Sequence, residues 1–137
     1  HDRARISDEY LVQRESNPLF RVRYAHARSR ALVRNAGDLG FRAEPGVVGG
    51  GQPALVQALA DYPRVLACAA AHHAPDRLAR HLVTVADALL PLLPDVLPLG
   101  EEKPSAAHRA RLALAEAAGT VLAGGLSLLG IDAPDHL

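Results

Sequence analysis

Between Asn17 and Ala36 the chain reads NPLFRVRYAHARSRALVRNA, a stretch with five arginines and no carboxylate. Guanidinium groups stay charged at physiological pH and present a fork of donors that suits phosphate oxygens. Two meanings fit such a segment: a solvated helix face, or a surface that meets a polyanion. The chain as a whole is neutral, with 15 Lys plus Arg against 15 Asp plus Glu. A global attraction to nucleic acid is therefore excluded, and any such argument must be local.

The other reactive residue types form no working constellation. His72, His73 and His81 are separated by Pro75, and no Cys or Glu completes a metal site around them. Ser105 and His108 fall at one helix start, where Ser105 as an N-cap explains itself without a catalytic triad. Glu101 and Glu102 sit in a proline-bounded loop and read as solvated charge. Gly49 to Gly51 are followed by no Gly-Lys-Ser/Thr, so they form no phosphate cradle. Cys68, the single cysteine, lies in the apolar run VLACAAA and reads as a small buried hydrophobe. The sequence thus predicts no catalytic residue, no metal and no cofactor.

The elements that must position the arginines are helical throughout. Apolar residues recur at spacings of three and four, and no alternating β-branched run of strand length occurs. Five helices are predicted. The first runs from Asn17 or Pro18 to Ala36, with Asn17 as N-cap, Pro18 at the first helical position, and Gly37 and Gly40 as stop signals. A glycine-rich connector leads to a second helix, Pro53–Ala60. The DYPRV sequence breaks it, and Pro63 opens a third that runs to His72. A fourth starts at Pro75 and is kinked or ended at Pro91 and Pro94. The last, Ala106 to Leu129, is long, with Gly124 and Gly125 inside it as points of close packing. The fold class is all-α, a helical bundle of about five helices.

At about 100° per residue, Arg30 and Arg34 fall about 20° to either side of Arg23. These three form a solvent-facing stripe about 16 Å long with His26 at its edge. Phe20, Tyr24, Ala25, Ala31, Leu32 and Ala36 fill the opposite, apolar face. Arg28, at about 140°, falls inside that face and is predicted to be partly buried against a carboxylate or carbonyls. Arg21 lies beside it.

This segment resembles the start of the C-terminal, DALR-type anticodon-binding domain of arginyl-tRNA synthetases, which reads roughly Asn-Pro-Val-Phe-Tyr-Val-Gln-Tyr-Ala-His-Ala-Arg. LADYPRVLACAA is similar to that family's Phe-Pro-x-Val-Val-x-x-Ala-Ala, and APDRLARHL to its Pro-His-Arg-Leu-Ala-x-Tyr-Leu. RARLALAEAAGTVLAGGLSLLGIDAPDHL resembles its closing block. The blocks follow family order and cover most of the chain. The resemblance implies a bundle of the class Ia synthetase anticodon-binding type that holds the anticodon stem-loop of an arginine tRNA. Tyr24 and His26 fall in the matching motif, and Leu137 stands where the family usually ends in Met, near the loop. The candidate RNA-binding residues are therefore Arg23, Tyr24, His26, Arg30, Arg34 and Leu137. Unstacked bases need flat or apolar platforms and phosphates need cations, which fits.

Departures from the family pattern are specific. Arg21 and Arg23 replace Tyr and Gln, and LLPLL, Leu89 to Leu93, replaces an aromatic run. No motif of the synthetase catalytic domain is present and the chain contains no Met. The sequence thus predicts either a piece of an arginine-tRNA ligase or a synthetase-related paralogue, and the lost aromatics favour the paralogue. A second function stays open: a pseudo-synthetase module that docks a protein partner through Leu89–Leu99. Residues 1–16 are predicted as a lead-in and 17–137 as the domain. No disulfide framework, secretory segment or membrane span is indicated, so the expected compartment is the cytoplasm.

Overall fold

The computed structural model describes residues 18–46 and 52–130. Asn17, the residue 1–16 lead-in, Gly49–Gly51 and the closing residues 131–137, including Leu137, lie outside them. The described residues form four α-helices and one short 3-10 segment, with no strand. They are α1 (Pro18–Asp38), α2 (Pro53–Ala71), α3 (Pro75–Leu89), the 3-10 turn Leu90–Asp95, and α4 (Ala106–Leu128).

Prolines open α1, α2 and α3. A proline there has its backbone angle preset and gives up an N–H that the helix would leave unpaired. α1 stops in a Schellman motif: Phe41 N–H donates to Ala36 O and Gly40 N–H to Gly37 O, each at 3.0 Å. Gly40 takes the left-handed conformation (φ 86°) and Phe41 is buried just beyond it. α2 ends in the same way, but with His73 at the left-handed position (φ 48°). His73 N–H donates to Ala70 O and Ala74 N–H to Ala69 O.

α4 starts at a reciprocal cap. Ser105 Oγ accepts from His108 N–H (3.3 Å), while His108 Nδ1 accepts from Ser105 N–H (3.0 Å). The histidine does the work usual for Glu or Gln in this motif. Its Nε2 faces Glu102 Oε1 at 3.4 Å, which assigns the ring proton to Nε2. Ser105 is thus an N-cap, as its position in the sequence predicts.

The helix count differs from the predicted five because Pro63 does not break the chain: residues 53–71 form one helix with Pro63 inside it. One backbone hydrogen bond is forfeited there. Both halves remain anchored, Leu55 and Ala58 before the proline and Leu66 and Ala69 after it, all packed into the core. His81 of α3 also holds Ala58 O through its Nε2 at 2.9 Å. Tertiary packing outweighs the local breaker.

α3 is the central element. It packs against α1, α2 and α4, while α1 pairs with α4 and does not meet α2. Leu82, Val85, Ala86 and Leu89 of α3 are fully buried. The segment predicted as a docking surface continues that core: Leu92 (1% exposed), Leu93 (5%) and Val96 (0%) point inward from the 3-10 turn. Of its large apolar residues only Leu99 is well exposed. The prolines at 91 and 94 end the α-helix and turn its leucines into the bundle, so no continuous apolar face is left outside.

Two glycines of α4 let its neighbours approach closely. A Cβ at Gly125 would collide with the Leu82 side chain, and one at Gly119 would run into Ser29 Oγ. The close packing predicted for Gly124 and Gly125 therefore holds at Gly125. Gly124 is exposed, with only Tyr62 Oη nearby at 3.5 Å from an added Cβ.

Candidate nucleic-acid interface

The seam between α1 and α4 decides which way the arginines face. Ser29 lies against Gly119 and is 1% exposed, its hydroxyl donating to His26 O at 2.7 Å. With Val22, Ala25, His26, Leu32 and Ala36, Ser29 marks a buried arc centred near −120° on the wheel that puts Arg23 at 0°, while Ala27, also buried, falls outside it near +40°. The outward face is centred near +80°, not at 0°.

That rotation corrects three placements. Tyr24, predicted on the apolar face, is 41% exposed. Arg28, predicted to be partly buried, is exposed. His26, predicted at the edge of the exposed stripe, is 4% exposed and sits inside the bundle. The reason is the size of the seam residues: α1 approaches α4 through Ser and Ala against Gly, and Tyr24 is left outside with Phe20 half-buried beside it.

The outward face carries a definite pattern. Phe20 and Tyr24, one turn apart, stack with ring centroids 6.3 Å apart and planes at 22°. On one flank of this line stands Arg28, and on the other stand Arg30 and Arg34, all three exposed. Ala31, half-buried, lies between the flanks. Among the described residues no carboxylate forms an ion pair with Arg28 or Arg34. Arg23 is half-buried at the border, with its Nε enclosed and without a hydrogen-bond partner. Arg21 is tied to α3: Nη2 donates to Asp87 Oδ2 at 3.4 Å, and Nε lies 3.2 Å from Oδ1 without hydrogen-bond alignment.

Two surface clefts lie elsewhere, one beside the start of α4 and one at the α2–α3 turn, and neither is lined by α1. Among the described residues no three His, Cys, Asp or Glu side chains gather as a metal site. The face that carries Phe20 and Tyr24 with exposed Arg28, Arg30 and Arg34 lies apart from both clefts.

The sequence model of the DALR anticodon binding domain matches residues 22–137. The chain belongs to that family. Among solved structures, Thermus thermophilus arginyl-tRNA synthetase matches with a TM-score of 0.68 and 29% identity over 85% of this chain. The match takes in 20% of the synthetase, so this chain spans about a fifth of that relative's length. The DALR domain seen here is accordingly the all-helical bundle that the sequence blocks implied.

Of the candidate residues, this DALR domain brings Tyr24, Arg30 and Arg34 onto one outward face, leaves Arg23 at its margin and encloses His26. Arg28 was missed. The signal that would have found it is the line Phe20, Tyr24, Arg28, spaced by four and therefore on one side of the helix. Reading it correctly required treating Ala25, Ser29 and Ala36 as the buried side.

Proposed function

We propose that the domain is a tRNA-binding module, for an arginine tRNA, and that the outward face of α1 is its RNA contact. The carrying observation is Tyr24, exposed and stacked on Phe20, with exposed Arg28 and Arg34 to either side. A loop base stacks on Tyr24 while Arg28, Arg30 and Arg34 meet the backbone. The cations supply affinity and the ring supplies what discrimination there is, at about 1–3 kcal/mol per stacked base. Arg23 adds charge at the margin. Leu137, by the family resemblance, belongs near the loop, and His26, buried in the bundle, lies away from the face. The chemistry of aminoacylation belongs to other parts of an arginine-tRNA ligase, or is absent if the protein is a synthetase-related paralogue. Such a module works in the cytoplasm, and among the described residues no helix is long and apolar enough to cross a membrane.

The burial of Leu89, Leu92, Leu93 and Val96 supports this reading over protein docking through the Leu89–Leu99 segment. The test is binding to an arginine tRNA, a non-arginine tRNA and an arginine tRNA with an altered anticodon, each across a salt series. Three phosphate contacts to a loop give a slope of log affinity against log salt near −2. Replacing Arg28, Arg30 and Arg34 together by Ala should flatten that slope. Unchanged affinity and slope in the triple variant would defeat the proposal.

A further inference from the structure

Three arginines of the bundle are met by a carboxylate: Arg21 by Asp87 at 3.2 Å, Arg64 by Asp61 at 3.7 Å and Arg80 by Asp76 at 2.6 Å. Arg28 and Arg34 are exposed on α1, and no such pair forms with either among the described residues. Just ahead of α1, and ahead of the family match that begins at residue 22, the chain reads HDRARISDEYLVQRESN. Within it Asp8 and Glu9 adjoin, with no Lys, Arg or His within two positions on either side, and Tyr10 follows them. Two anions and a ring are the same kinds of group that an RNA loop would bring to Arg28, Arg34 and Tyr24.

The pair is also within reach. Eight residues separate Glu9 from Pro18, a tether of up to about 30 Å. From Pro18, Arg28 lies about 15 Å and Arg34 about 24 Å along α1. A short tether holds its cargo at an effective concentration on the order of millimolar. We propose that the outward face of α1 is a docking site for this chain's own Asp8-Glu9-Tyr10 stretch, whose carboxylates pair with Arg28 and Arg34 beside the Tyr24 ring. The docking stands on charge and reach. Its consequence, that RNA must displace the stretch, rests on the RNA-binding reading above. Exposed ion pairs are individually weak, so the stretch is a competitor that RNA displaces and salt loosens.

The experiment uses the full chain, its D8N/E9Q variant and a control, E101Q/E116Q, which removes two negative charges from exposed positions on the loop before α4 and on α4 itself. Binding of an arginine tRNA is measured across a salt series, and the Arg28 and Arg34 side-chain Nε–H resonances are recorded without RNA. D8N/E9Q should bind roughly three- to tenfold tighter than wild type at low salt, with the ratio shrinking as salt is raised. The control should change affinity by less than about twofold, since distant exposed charges are screened. Both arginine resonances should shift in D8N/E9Q and stay in place in the control. Unmoved resonances in D8N/E9Q would overturn the docking, and so would an affinity gain no larger than that of the control. Shifted resonances in a chain that binds no tRNA would uphold the docking and remove the RNA-binding reading instead.

Discussion

Gly124 and Gly125 are neighbours in the same helix, yet replacing each by Ala should move stability in opposite directions. On helix propensity alone both changes are favourable, by about 1 kcal/mol each. At Gly125 the new methyl would fall 2.7 Å from Leu82 Cδ1 and 3.0 Å from Cγ, with Cδ2 nearer still. Leu82 is fully buried at the centre of α3 and cannot swing into solvent. Relieving that contact means repacking the α3–α4 seam, at a cost of about 1–3 kcal/mol. The net for Gly125→Ala is a loss of about 1 kcal/mol, up to about 2. At Gly124 the nearest atom would be Tyr62 Oη at 3.5 Å, an ordinary contact, so the propensity gain survives. At about 4 °C per kcal/mol for a domain of this size, the two variants should melt on either side of wild type, roughly 8 °C apart. Thermal unfolding followed at 222 nm measures this directly. If both variants melt above wild type by the same amount, the seam is not tight and the argument is refuted.

Gly119→Ala should likewise destabilise, since its methyl displaces Ser29 Oγ from His26 O. Adding Ser29→Gly should recover part of the loss in a double-mutant cycle, and strict additivity would contradict a direct contact. Ser105→Ala removes the α4 cap and should lower the urea midpoint by an amount worth about 1 kcal/mol. His73→Gly relieves a left-handed backbone at the end of α2 and should raise the midpoint, by about 0.5 kcal/mol after the entropy of the freed glycine is deducted.

The helix ends were legible because their signals are local. Proline at Pro53 and Pro75, the cap at Ser105 and the stop around Gly40 each act through their own backbone. Pro63 misled for the complementary reason: its local tendency is overruled by contacts with α3, which no single segment displays. The orientation of α1 was misread because bulk was taken as the mark of the buried side. Its seam is instead set by Gly119 on α4, about ninety residues away in sequence, which makes Ser29 a better core residue than Tyr24. The leucines at 89–93 read as a surface only while they were compared with aromatics at the same positions. The burial of Leu89 at the end of α3 and of Leu92 and Leu93 on the 3-10 turn shows that they complete the core. For the candidate interface, the charge of the segment was evident in the sequence, whereas the exposure of Arg28 was not, because it follows from the α1–α4 seam.

The α1–α4 seam also bears on how any partner would be met. With Ser29 seated against Gly119, α1 cannot roll about its own axis, and a roll of one residue step would be about 100°. Tyr24 and Arg28 therefore face outward before anything binds. Association need not order the backbone of this face and restrains only side-chain rotamers, at about 0.5–1.5 kcal/mol for each long side chain fixed. The entropy of such an encounter would thus be largely settled at folding, by two residues buried in the α1–α4 seam.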